Sequence, residues 1–158
     1  LHDTLPIKAD NYERLVLETQ DDFLFLSANS QTSSNIYPHQ FLIHSGYGGG
    51  ILYDDEFVAD NKLGQQLEVT SEQILKDSYD NEIVTKKAIL PTLQIGETTL
   101  ADVPVGFFEG SIGRQRMSII GGDLLKRFNI IIDPKHNFIY LKANILTSIP
   151  YTNWSIEF

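Results

Sequence analysis

The sequence predicts an all-β fold, built from many short strands with one or two short helices. Glycine and proline account for 11 and 6 of the 158 residues, and they punctuate the chain at short intervals between segments rich in β-branched and aromatic residues. Hydrophobic residues make up 42% of the chain and charged residues 21%, which indicates a packed core rather than a disordered chain. We expect a single domain with a core over residues 13–142 and a tail over residues 143–158, a size also compatible with one lobe of a longer protein.

The N-terminal third predicts a hairpin followed by an isolated strand. Glu13–Thr19 alternates polar and apolar residues, Gln20–Asp22 is turn-forming, and Phe23–Ala28 is the natural partner strand. Asn29–Asn35 consists entirely of Ser, Thr, Asn and Gln and predicts a polar loop. Gln40–Ile43 then begins a short apolar strand.

The middle of the chain predicts a long, solvated hairpin and a second pair of strands. Two strand-like stretches within Gln65–Leu90 flank the polar segment Asp77–Asn81, which predicts the turn. Thr92–Ile95 and Thr98–Phe108 flank a tight turn and form the next pair. Because proline has no amide hydrogen to donate to a neighbouring strand, Pro104 predicts an edge position.

The C-terminal third predicts one more hairpin, and helices are expected in only two segments of the chain. Asn129–Asp133 and Phe138–Lys142 are strands joined by a turn, while Asp54–Lys62 and Asp123–Phe128 have the acidic start and the apolar face of short helices. The tail Thr147–Phe158 is apolar for a chain end, which leaves open whether it covers its own core or meets a partner.

The charge and the composition exclude several classes of function. The net charge of −9 and the pI near 4.7 oppose binding to nucleic acid and to anionic membrane surfaces. No apolar run approaches the roughly 18 residues of a membrane span. The chain has no cysteine, so disulfides, thiolate nucleophiles and cysteine metal sites are absent. His39 and His44 lie five residues apart, on opposite faces of a strand, and no pair of histidines has the spacing of metal ligands; we therefore predict no metal and no cofactor.

Two glycine motifs carry the main functional signal. The apolar segment Phe41–Ile43 leads into His44-Ser45-Gly46, with Tyr47 and three glycines after it, and Ile119-Ile120 leads into Gly121-Gly122 and a Leu-rich helix. The order of the two motifs, with a hairpin between them, resembles the two signatures of the retropepsin-like proteases. These are the single-lobed branch of the aspartic protease family. The resemblance covers roughly Gln40 to Lys142 and implies a closed β-barrel with a flap hairpin.

The resemblance also implies a reaction that needs two facing carboxylates. They cannot both be ionised, so they share a proton and hold a water, which one carboxylate activates while the other polarises the scissile carbonyl of a peptide. In a single-lobed member each subunit supplies one aspartate, so the site forms at the two-fold axis of a homodimer. A second lobe of a longer chain could supply the other half. The flap closes over the substrate and pairs with it as an added strand.

This chain departs from the family at the decisive position. Ser45 and Gly46 match the signature, but His44 stands where the catalytic aspartate belongs. An imidazole, with an ordinary pKa of about 6.5, cannot share a proton symmetrically as a carboxylate does. Tyr47 and Gly48 are expected to contact a bound peptide, and Tyr79, at the tip of the proposed flap, to lean over it.

The residues leave three explanations for His44 open. The domain has degenerated and kept the fold, or it is one lobe whose partner lobe carries the aspartate, or the aspartate was replaced in this chain. The leading hypothesis is an aspartic-peptidase-like domain that binds extended polypeptide and is inactive on its own. The alternative is a non-catalytic peptide-binding module or a structural lobe of a larger protein.

The compartment follows only from indirect signs. The first residue is Leu1 rather than methionine, and the resemblance extends to exported bacterial members of the family. Both favour an extracytoplasmic location, periplasmic or secreted.

Overall fold

The computed structural model describes residues 11–110 and 115–151. In chain order its strands are β1 (Glu13–Val16), β2 (Glu18–Gln20), β3 (Phe23–Gln31), β4 (Ile36–Ile43), β5 (Ile51–Leu52), β6 (Glu68–Lys76), β7 (Glu82–Ile95), β8 (Thr98–Gly110), β9 (Ile119–Ile120), β10 (Phe128–Asp133) and β11 (Phe138–Ala143). The helices are α1 (Asp55–Asp60), α2 (Leu63–Gln66) and α3 (Gly122–Leu125), and Ile145–Ser148 forms a 3-10 helix. The predicted all-β class is confirmed.

The strands form two sheets, and the larger one closes into a barrel. Its order is β2-β3-β4-β9-β5-β8-β7-β6, and an additional pairing of β3 with β7 closes a six-stranded barrel, leaving β2 and β6 outside the ring. The smaller sheet has the order β1-β11-β10. Closure removes the free edges of the six ring strands, so their backbone groups are paired within the molecule.

Alternation along the strands separates two apolar layers. One side of each ring strand faces the main core, whose fully buried members include Phe41, Ile51, Leu90, Phe107 and Ile120. The residues next to them in sequence point to the other side of the sheet. There Phe25, Leu42 and Ile119 form a smaller buried cluster.

The hairpins have the turns that the sequence predicts. β6 and β7 pair from Lys76 with Glu82 onwards, so the turn lies at residues 77–81. β10 and β11 pair with Asp133 opposite Phe138. In both hairpins a cluster of turn-forming residues fixes the register at its closed end.

Two predictions in the N-terminal third are wrong in part. The segment Glu13–Thr19 is not one strand, because β1 pairs with β11 while β2 pairs with β3. The chain crosses between the sheets at Leu17, which is 1% exposed and donates its amide to the carbonyl of Asn137 (2.9 Å). The predicted loop Asn29–Asn35 is also too long, since β3 continues to Gln31, where its pairing with β7 closes the barrel.

The edge position predicted for Pro104 is wrong. β8 lies between β5 and β7, and Pro104 pairs opposite Ile89. The proline is tolerated because its carbonyl faces Gly50, on the β5 side, where ladder pairing begins only at Val105. The N–H and C=O of one strand residue point to the same side, so the missing donor falls where no partner strand needs it.

The helices are shorter than predicted. Asp54 caps α1, as its carboxylate accepts the amide hydrogen of Phe57 (2.7 Å), and Lys62, in the left-handed region (φ 50°), separates α1 from α2. α3 ends at Leu125, because Phe128 already begins β10. Among the residues that the structure describes, no helix is long and apolar enough to cross a membrane.

Arg127 anchors the C-terminal segment. Its side chain is buried, donates from Nη1 to the carbonyls of Leu146 and Ile149 (2.5 Å each), and lies 3.5 Å from the ring centre of Tyr151. Burial raises the pKa of Tyr151 to about 12, against the opposing effect of the Arg127 charge. The start of the predicted apolar tail therefore covers this chain's own fold, and the rest of the tail, residues 152–158, lies outside the described residues.

Candidate functional site

The fold brings the two glycine motifs of the sequence together. β4 and β9 run parallel, with Leu42 opposite Ile119. Backbone bonds extend this pairing at both ends, from the amide of Leu42 to the carbonyl of Ser118 (2.7 Å) and from the amide of His44 to the carbonyl of Ile120 (3.0 Å). The loop after β4, residues 44–50, and the turn after β9 therefore start side by side.

The turn at Gly121 and Gly122 is bonded directly to the loop of residues 44–50. Gly121 donates its amide to Gly50 (2.8 Å), and Gly122 donates its amide to the carbonyl of Tyr47 (2.7 Å). A Cβ on Gly121 would lie 2.6 Å from that same carbonyl, so only glycine permits the approach. The two motifs are thus one bonded unit, and its close backbone approach requires glycine at Gly121.

His44 lies on the exposed side of this unit, at the end of β4. Its Nδ1 accepts the amide hydrogen of Gly46 (3.1 Å), and the imidazole takes the space that a Cβ on Gly46 would need, 2.8 Å from Cε1. Because Nδ1 is an acceptor, the neutral ring carries its hydrogen on Nε2. The ring therefore offers an N–H donor to anything that binds beside it.

The other predicted residues of the loop differ in their surroundings. Ser45, Gly46 and Gly48 are exposed, and nothing lies within 4 Å of a Cβ built on Gly48. Tyr47 is partly buried and packs against the cluster of Phe25, Leu42 and Ile119. Burial raises the pKa of the Tyr47 hydroxyl. The loop therefore presents Ser45, Gly46 and Gly48 to solvent while the Tyr47 ring turns inward.

Tyr79 is not brought to this loop. It lies in the turn between β6 and β7, where its amide donates to Asp77 Oδ1 (2.8 Å), and 84% of the residue's surface is exposed. The structure thus shows the hairpin and its exposed tip.

A polar cluster that the sequence did not single out is centred on His39, in the middle of β4. His39 Nε2 is 2.9 Å from Asp54 Oδ2 and 2.9 Å from Ser118 Oγ, and Ser118 Oγ donates to Asp54 Oδ2 (2.8 Å). Asp54 and Ser118 are 8% and 2% exposed, and the His39 ring packs on Phe57 with centroids 4.2 Å apart. This His39–Asp54–Ser118 cluster joins β4, the start of α1 and the segment before β9.

The cluster has the residue types of a serine-hydrolase triad but not the geometry. A triad needs serine on one ring nitrogen and aspartate on the other, so that the imidazole can pass a proton between them. Here both partners contact Nε2 of His39, and Ser118 is buried away from any substrate. The cluster therefore holds the fold together. Its only sequence signal was the capping role of Asp54, because three positions this far apart in sequence predict no contact.

Three carboxylates near the two glycine motifs in sequence are already engaged. Asp54 accepts from Phe57, His39 and Ser118, Asp55 Oδ2 accepts the amide of Gln115 (2.9 Å), and Asp123 forms an ion pair with Lys126 (2.8 Å). Each is thus occupied by a helix start or by an adjoining segment. None of these three carboxylates contacts His44 in the contacts that the described residues make.

Comparisons with known proteins give one kind of match. No family model matches the chain, and no curated protein matches it. Among solved structures it is similar to a retropepsin-like aspartic protease from Rickettsia conorii, with a TM-score of 0.54 and 18% sequence identity over 82% of this chain and 90% of that one. At this identity the likeness is one of fold. The six-stranded barrel with its bonded glycine loops therefore has the retropepsin-like fold that the sequence predicts.

Proposed function

We propose that this chain is an aspartic-peptidase-like domain that holds extended polypeptide beside the loop of residues 44–50 without hydrolysing it. The observation that carries the proposal is the place of His44. It directly follows the parallel pair of β4 and β9, on the exposed side of the two bonded glycine loops. In a retropepsin-like fold this is where the family's signature carries its aspartate.

The chemistry of His44 supports binding rather than hydrolysis. With Nδ1 occupied by the Gly46 amide, the neutral ring has no lone pair left to accept a proton from water. A protonated ring is a donor at both nitrogens and loses the bond to Gly46, so it is no base either. The Nε2–H group can instead donate to a peptide carbonyl, which orients a bound chain without cleaving it.

The hairpin of β6 and β7 is the proposed flap. Its outer half is solvated, with Ile74, Leu75 and Tyr79 at 55%, 49% and 84% exposure. A group of exposed apolar side chains at the end of a hairpin indicates a contact surface. Closing over an extended peptide would bury them and add a strand to the hairpin. A second copy of this chain, or a second lobe, is the proposed partner across the site.

Binding and cleavage of unstructured polypeptide test the proposal directly. We expect the purified chain to bind members of a library of unstructured peptides, measured by fluorescence anisotropy, and to leave them intact at acidic and at neutral pH. His44→Asp restores the family's carboxylate, so we expect pepstatin-sensitive cleavage from that variant. His44→Asn is the matched control, because it has the shape of aspartate without its charge.

The outcomes separate the alternatives. Cleavage by the native chain would contradict the claim that it does not hydrolyse peptides. A folded His44→Asp variant that stays inert would show that more of the site has been lost than the carboxylate. Absence of peptide binding by the native chain would contradict the binding role and favour a structural lobe. Sedimentation of the same samples reports whether a dimer forms.

A further inference from the structure

Tyr47 lies in a space formed by three glycines from three segments of the chain. Cβ atoms built on Gly49 and Gly121 would lie 2.6 Å from its hydroxyl and 2.5 Å from its Cδ2, and one built on Gly106 would lie 3.7 Å from its hydroxyl. Side chains at the first two positions would collide with the ring. The positions thus leave room for an aromatic ring, which Tyr47 fills.

The floor of this space is a row of apolar side chains across four strands. Phe25 of β3 pairs with Leu42 of β4, Leu42 with Ile119 of β9, and Ile119 with Leu52 of β5. Leu52 pairs in turn with Gly106 of β8, where the row has no side chain. Because cross-strand partners share a face, these residues form one continuous strip, called here the outer row. Tyr47 packs against it.

The outer row belongs to the same side of the sheet as the exposed loop. Leu42 is two residues before His44, and residues two apart in a strand point to the same side. The backbone of Tyr47 is held in place by two hydrogen bonds. Its amide donates to the carbonyl of His44 (3.2 Å), and its carbonyl accepts from the amide of Gly122. With the backbone held at both ends, rotation about the Tyr47 side-chain bonds is the movement that would open the space.

We propose that Tyr47 is a plug that limits the size of the ligand side chain accepted beside His44. This inference rests on the proposed function. An extended peptide along the loop presents every second side chain to the sheet, and one of these meets the outer row. With the ring of Tyr47 in place, only glycine or alanine fits there. Without the ring, the glycine-lined space accepts a bulky apolar side chain.

The first test probes the space with the side chain that it normally holds. We expect p-cresol, which is the tyrosine side chain as a free molecule, to raise the melting temperature of Tyr47→Ala by about 2–4 °C at saturating concentration and to leave the native chain unchanged. An equal shift in both proteins, or none in the variant, would overturn the plug. Tyr47→Leu is the second variant, to be used if Tyr47→Ala does not fold.

The second test uses peptides. Each peptide that binds the native chain is resynthesised with every position replaced in turn by glycine, alanine, leucine or phenylalanine. We expect the native chain to favour a small residue at one position, and Tyr47→Ala to bind the phenylalanine or leucine version at that position about tenfold or more tightly than the native chain does. Tyr140→Ala, which truncates a buried tyrosine in the other sheet, is the matched control and should keep the native preference.

The results distinguish a failed plug from a failed function. If the native chain and Tyr47→Ala bind peptides with the same preferences, the plug is wrong and the binding function stands. If only Tyr47→Ala binds, and it selects bulky side chains, the plug is supported and peptide binding by the native chain is contradicted. If neither protein binds any peptide, both proposals are overturned.

Discussion

His39 lies in the middle of β4 and His44 directly follows the end of that strand, and their surroundings have little in common. His39 packs between aromatic rings and shares its Nε2 with two buried oxygens, those of Asp54 and Ser118. His44 is exposed, and the one described hydrogen bond of its side chain is with the amide of Gly46, two residues further along the chain. The side chain of His39 therefore connects three segments of the chain. The side chain of His44 lies in solvent and contributes little to holding the loop in place.

The difference teaches where a histidine contributes stability and where it is free to serve binding. Buried polar groups contribute through partners that would be left unpaired without them, so the His39–Asp54–Ser118 cluster is costly to disturb. Replacing an exposed side chain in a loop changes the free energy of unfolding only slightly. The glycine backbone, rather than the histidine, builds the proposed site. Substitution of His44 should therefore change chemistry without changing the fold.

The largest expected effect comes from Asp54. Asp54→Ala removes the cap of α1 and leaves His39 and Ser118 short of a partner, and we expect it to lower the free energy of unfolding by about 3 kcal/mol. Urea denaturation measures the loss. Asp60→Ala, at the exposed end of the same helix, is the control and should change stability by less than about 0.5 kcal/mol. A loss below about 1 kcal/mol for Asp54→Ala would mean that the cluster contributes little beyond a cap.

The next effect compares the two histidines directly. His39→Ala should cost about 2 kcal/mol, because it removes the contacts with Phe41 and Phe57 as well as the bond to Asp54. His44→Ala should cost less than about 0.5 kcal/mol, since the ring is exposed. Both are measured by the same urea titration. Equal losses at the two positions would contradict the contrast between His39 and His44.

The smallest effect is expected at alkaline pH. It concerns Tyr53, next to Asp54 of the polar cluster, and Tyr47, in the loop of residues 44–50. Tyr53 is completely buried, stacks on Phe57 and bonds to Ser30 Oγ (2.6 Å), and burial raises its pKa more than it raises that of Tyr47. A folded pKa above the ordinary value of 10.0 favours the neutral hydroxyl. This contribution is complete below about pH 10 and falls as the pH rises beyond it.

Urea unfolding measures this decrease in the free energy of unfolding. It is carried out at a series of pH values from 9 upwards, in steps of about half a unit. Replacing each tyrosine by phenylalanine should flatten the decline in stability, and Tyr53→Phe should flatten it more than Tyr47→Phe. The reverse order would indicate that the ring of Tyr47 is more deeply enclosed than the structure shows, and would place the better-packed region at the loop.

The sequence predicted the parts of the fold that local chemistry controls. The hairpins at residues 77–81 and 134–137 follow from turn-forming residues between strand-forming segments, and the start of α1 follows from an acidic cap. The two glycine motifs were also visible, and at Gly50 and Gly121 the close approach of another backbone segment demands glycine. These signals are short in range, and tertiary packing did not change them.

The misplaced elements depend on partners that are distant in sequence. Leu17 moves the chain from one sheet to the other, Gln31 extends β3 because β7 closes the barrel there, and Pro104 fits an inner strand because β5 begins its pairing one residue later. The alternation of residues within a strand says which face is buried but not which strand lies beside it.

The sequence alone determined the all-β class, the turns and the two glycine motifs, including His44 before Ser45 and Gly46. Only the tertiary structure decided that His39, Asp54 and Ser118 meet, that Tyr47 turns inward over the outer row, and that Tyr79 stays in solvent. The reason is physical. Backbone conformation and turn formation are set by a few neighbouring residues, whereas a buried polar contact exists only once barrel closure has brought separate segments within hydrogen-bonding distance.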